Sequence, residues 1–115
     1  MIDFACKTFQ LSEIVKCALG LSRSDIKLMN FFMDNRDIWY TTEQLSNEHD
    51  LNLTTIQRSV KRLHEKSVIK RRQENLDGGG YIFLYTIVER DHFRELIWNI
   101  VKGWSERVHE ELKKW

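Results

Sequence analysis

The sequence holds 115 residues, 42% of them hydrophobic and 30% charged, with a formal net charge of +1. That is the composition of one globular domain able to bury a modest core. It excludes a membrane span, because no apolar run approaches the ~18 residues a bilayer demands, and the absence of proline, of low-complexity segments and of internal repeats sets aside a disordered tail, a collagen-like rod and a solenoid. The opening stretch MIDFACKTFQ carries charges and lacks a long apolar core, so it does not read as a secretory signal. A cytoplasmic protein with Cys6 and Cys17 as thiols is the expectation.

Charge is unevenly distributed. Residues 1–50 hold 5 Lys/Arg against 8 Asp/Glu, residues 51–76 hold 7 against 2, and residues 77–115 hold 6 against 7. Nearly all the positive excess therefore lies in one short window. A local basic patch of this kind suits a polyanion, although a charge run by itself is also compatible with a solvated face.

In chain order, Phe9, Leu11, Ile14, Val15, Ala18 and Leu19 fall on one helical face. Ser12 is a candidate N-cap for this helix and Gly20 a left-handed stop. Ser22 with Asp25 forms a capping box for a second helix, whose apolar stripe is Ile26, Met29, Phe32 and Met33. Asn35-Arg36-Asp37 reads as a turn, and Ile38-Trp39-Tyr40 as a short strand. Thr41 with Gln44 caps a third helix over about 42–48. After a turn at 50–53, a fourth helix runs over about 54–66, capped by either Asn52 or Thr54. Two β-rich runs, Val68-Ile69 onward and Tyr81 to Val88, flank Asp77-Gly78-Gly79-Gly80 and form a hairpin. From Glu89 to Trp115 the helical period returns in a helix on the order of 40 Å long. Phe93, Ile97, Ile100, Val101, Trp104, Val108 and Leu112 lie on its stripe. So long a stripe needs a partner, and a second copy of the chain is the simplest one.

The expected fold is therefore mainly α with a small β-hairpin wing, in the order α-α-β-α-α-β-β-α. It is a winged helix-turn-helix, read as a single domain with an N-terminal helix (9–21), a core (22–88) and a dimerisation helix (89–115). In this layout the second helix of the pair enters the major groove of DNA and the hairpin reaches neighbouring backbone. The fourth helix suits that role. At 3.6 residues per turn, Ile56, Val60 and Leu63 form its inner face, while Thr54, Arg58, Lys61 and Arg62 point outward, flanked by Thr55 and Gln57. Arg pairs with guanine, Gln with adenine, and Thr with phosphate or a thymine methyl. Lys70, Arg71 and Arg72 enter the wing and would supply phosphate contacts.

Residues 24–88 resemble the winged-helix domain of TrmB- and MarR-like transcriptional regulators. The resemblance rests on Tyr40-Thr-Thr-Glu-Gln-Leu45, Leu51-Asn-Leu-Thr-Thr-Ile56, Val60-Lys-Arg-Leu-His-Glu-Lys66 and Val68-Ile-Lys-Arg-Arg72. The segment from Phe9 to Leu21 is similar to the leader of archaeal TrmB-like proteins, and the last helix to the dimerisation helix of small archaeal regulators. The resemblance implies a homodimer that binds double-stranded DNA and regulates transcription. The pattern differs at Ser67, where those regulators have glycine, and at the wing tip, which is acidic and glycine-rich rather than basic.

Other chemistry finds little footing. Cys6 and Cys17 form no C-x-x-C, leaving idle thiols or a redox pair as the readings. His49, His64, His92 and His109 are scattered without four-ligand spacing, so no metal is expected. No phosphate-binding glycine motif or catalytic set is present, so neither a cofactor nor an enzyme is expected. Trp39, Trp98, Trp104 and Trp115 read as core and interface. The alternatives to a sequence-specific regulator are a winged-helix protein-interaction module and a non-specific, chromatin-like DNA binder.

Overall fold

A computed structural model describes residues 1–115. The elements are β1 (Ile2–Asp3), β2 (Thr8–Phe9), α1 (Leu11–Leu19), α2 (Arg23–Asp34), α3 (Thr42–His49), α4 (Leu53–Glu65), β3 (Ile69–Asn75), β4 (Tyr81–Ile87) and α5 (Arg90–Lys113). They fall into two compact units, Met1–Leu21 with Glu89–Trp115, and Ser22–Val88. The fold is the expected mainly helical winged helix-turn-helix.

In the Ser22–Val88 unit, local chemistry sets the helix starts. The Ser22 and Asp25 side chains each accept from the other's backbone N–H, and Thr41 and Gln44 repeat the arrangement at α3. Each box satisfies two N–H groups that a helix start leaves unpaired. At α4 the cap is Asn52, whose Oδ1 accepts from the Thr55 N–H at 2.8 Å. The helix therefore begins one residue earlier than the sequence suggests. Leu28, Phe32, Leu45, Ile56 and Leu63, one or two from each helix, are fully buried together with Val68 and Ile69 at the base of the wing. Burying each such side chain contributes about 1.5–3 kcal/mol.

β3 and β4 pair antiparallel from Ile69↔Ile87 to Asn75↔Tyr81. The tip is closed by bonds from the Leu76 N–H to the Gly80 carbonyl and from the Gly79 N–H to the Leu76 carbonyl. Gly79 and Gly80 have φ of 94° and 80°, which glycine adopts without a Cβ penalty. The expected strand at Ile38–Tyr40 contracts to a single bridge: Tyr40 and Tyr85 exchange both backbone hydrogen bonds at 2.9 Å.

In the other unit, β1 and β2 form a small hairpin that alternation does not announce, since each strand has two residues. Phe9 belongs to β2 rather than to the helix. The cap of α1 is Gln10, which forms a box with Glu13, so Ser12 lies inside the first turn instead of capping it. Gly20 ends α1 at φ 65°, as expected. α1 packs against α5. At 24 residues, α5 is about 36 Å long, and none of its residues is fully buried.

Candidate nucleic-acid interface

α4 sorts its residues cleanly. Ile56, Ser59, Val60 and Leu63 face the core, while Thr54, Gln57, Arg58 and Lys61 are exposed and Thr55 is half-buried. An outward row of hydroxyl, amide and cationic groups on a helix anchored by an apolar inner face is what groove reading requires.

Arg62 carries an ion pair that the helical wheel does not show. Its Nη1 donates to Asp25 Oδ2 at 2.6 Å, and the Asp25 side chain is completely buried. The pair ties α4 to the first turn of α2. Burial works to raise the Asp25 carboxyl's pKa, but Arg62, the Ser22 N–H and the hydroxyls of Ser59 and Ser22 together hold it below 3.8. Asp25 in turn raises the Arg62 pKa. The Arg62 side chain remains 42% exposed, yet its guanidinium is committed to neutralising a buried charge. Removing one partner of such a pair leaves the other buried and uncompensated.

The wing begins immediately after α4. Ser67 takes φ 66°, the left-handed position where the regulators noted above carry glycine. Its N–H donates to the His64 carbonyl, and the Val68 N–H donates to the Leu63 carbonyl, so the chain turns sharply into β3. Arg71 and Arg72 are exposed and Lys70 is half-buried. Successive strand residues face opposite sides of a sheet, and the three cations divide accordingly. Arg71 sits over the Phe83 ring at 4.2 Å. On the other face, Arg72 and Lys70 sit over the Trp39 ring at 4.6 Å and 5.9 Å. Trp39 is the residue that sequence reasoning missed here. Its place beside β3 depends on the Tyr40–Tyr85 bridge, which no local sequence signal announces.

Of the residues expected at a dimer interface, Phe93, Ile97, Ile100 and Val101 are half-buried, while Trp104, Val108 and Leu112 are exposed. Trp98 and Trp115 are exposed as well. Cys6 and Cys17 are unpaired and exposed. No group of three or more His, Cys, Asp or Glu is placed to hold a metal ion, and no helix is long and apolar enough to cross a membrane.

Comparison with known proteins supports the fold. A solved structure from Methanosarcina mazei Go1, described as a possible transcriptional regulator, superposes with a TM-score of 0.92 at 46% sequence identity, covering 100% of this chain and 96% of that one. The ST1889 protein of Sulfolobus tokodaii shares the fold, with a TM-score of 0.67 at 18% identity over 84% of this chain and 92% of that chain. The uncharacterized protein MJ1503 of Methanocaldococcus jannaschii is 24% identical over 115 residues, which is 100% of this chain and 83% of that protein. These likenesses support the winged-helix part of the resemblance to TrmB- and MarR-like regulators without reaching that regulator type. The model of the DnaD N-terminal domain matches residues 9–108, and the chain belongs to that family.

Proposed function

We propose that this chain is a homodimeric, non-enzymatic transcriptional regulator that reads double-stranded DNA, with α4 in the major groove and the β3–β4 hairpin as the wing. The observation that carries the proposal is the pairing of an outward row on α4 (Thr54, Gln57, Arg58, Lys61) with wing cations in the adjoining strand (Lys70, Arg71, Arg72). Thr55 flanks the row. Arg58 and Gln57 are suited to base edges, and the wing cations to phosphates. Arg62 contributes mainly by fixing α4 through Asp25. The description of the Methanosarcina mazei structure as a possible transcriptional regulator supports the same reading. A dimer presents two such helices to successive half-sites, about one helical turn apart.

The test is the effect of Arg58→Ala on a duplex the protein prefers and on a scrambled one. A base-reading arginine predicts a loss of about 1–3 kcal/mol confined to the preferred duplex and to one base position. Equal losses on both duplexes would refute base reading by Arg58.

A further inference from the structure

We propose that Trp39 is a positioning residue for DNA-backbone binding, its ring holding Arg72 and Lys70 together as one phosphate-contacting cluster on a single face of the wing. The inference rests on the DNA-binding reading above and adds to it a residue that lies outside both α4 and the hairpin.

The placement follows from strand register. Tyr40 pairs with Tyr85, and Tyr85 pairs with Arg71, so Tyr40, Tyr85 and Arg71 share one face. Trp39, one residue before the bridge, meets the opposite face through its contacts with Lys70 and Arg72, whose partners across the ladder are Thr86 and Leu84. Trp39 thus reaches past β4 to the two cations of β3, with centroid distances of 4.6 Å for Arg72 and 5.9 Å for Lys70. The Tyr40 exchange of hydrogen bonds with Tyr85, both at 2.9 Å, and the Thr41 cap of α3 hold the backbone on the C-terminal side of the indole.

Two like charges on one strand face repel and spend time apart. An indole face attracts both, because its quadrupole is negative above the ring. A guanidinium seated over a ring keeps donors in its own plane for an anion. The existing anionic neighbour of Arg72 is Glu74 at 4.0 Å, with both side chains more than half exposed. That is a weak contact which a phosphate can displace. Arg71 lies over Phe83 on the other face, where Tyr85 meets His64 of α4. The wing therefore divides its charge between the α4 side and the Trp39 side.

The experiment is a double-substitution cycle on the full chain, read by fluorescence anisotropy of a labelled duplex over a salt series, with thermal melting to show that each variant is folded. Trp39→Leu is expected to weaken binding about three- to tenfold on preferred and scrambled duplex alike. It should also make the salt dependence shallower by about one phosphate's worth, and Trp39→Phe should restore most of the loss. In an Arg72→Met background the Trp39→Leu effect should shrink below about twofold, because the ring then has less to hold. If Trp39→Leu is not folded at the assay temperature, the cycle is run with Trp39→Phe, for which a loss of about twofold, cancelled by Arg72→Met, is expected. A folded Trp39→Leu that binds as tightly as the wild type overturns the proposal. So does a loss that persists undiminished without Arg72. A wild-type protein that binds no duplex would instead overturn the DNA-binding reading itself, and the role of Trp39 with it.

Discussion

Arg62 and His49 show what a side chain's position can conceal. A helical wheel puts Arg62 on the outward side of α4, and nothing in its neighbours along the chain connects it to Asp25. The contact spans 37 residues and exists only once α2 and α4 pack. Asp25 was legible as half of a capping box, but its complete burial was not, because burial depends on what the fold brings over it. His49 is similar. It ends α3 with its ring edge-on to Phe31 at 4.5 Å and with a buried Nε2 that has no partner. Burial lowers its pKa below 6.5, Lys27 adds to that effect, and Glu48 opposes it. As pH falls through 6.5, the unfolded chain takes up a proton that folded His49 resists. The unfolded state then binds more protons, and stability is lost. Thermal melts between pH 7.5 and 5 should show a falling midpoint, and His49→Gln should flatten the fall. An unchanged slope in that variant would place the pH dependence elsewhere.

Among the elements, α2, α3 and the wing were readable because each carries a local signal strong enough to act alone. Two capping boxes and a run of glycines between β-rich segments fix their ends. The N-terminal hairpin was not readable, since strands of two residues offer no alternation to detect. The Ile38–Tyr40 strand was overestimated because strand propensity gives no length, and here only Tyr40 finds a pairing partner. Ser67 is the element-scale weak point. A serine held at φ 66° bears a Cβ penalty that glycine lacks. Ser67→Gly should raise stability by about 0.5–1 kcal/mol, after the greater chain entropy of glycine is offset. Denaturant unfolding would measure it, and a destabilised variant would mean that the turn is not strained.

For the molecule as a whole, the apolar surface points to self-association. The unit formed by Met1–Leu21 and Glu89–Trp115 exposes Phe4, Leu11, Trp98, Trp104, Leu112 and Trp115. Phe4, Trp98 and Trp104 are each more than half exposed and Trp115 is fully so, the kind of unpartnered apolar surface that marks an interaction site. Trp104→Glu combined with Val108→Glu should yield a folded monomer by sedimentation velocity, whereas the wild type is expected to sediment as a dimer. A wild-type monomer at micromolar concentration would contradict dimerisation. The sequence showed the α5 stripe plainly, but it could not show how little of that stripe the chain covers on its own.

The central claim, that α4 and the wing together read duplex DNA, is tested most directly by anisotropy of the wild-type chain. Duplex from its own upstream region is compared with scrambled duplex across a salt series. The account predicts tighter binding to the native duplex, with log K falling at about 0.9 per phosphate neutralised. A folded protein that binds neither duplex even at low salt would contradict it and turn attention to a winged helix that binds protein.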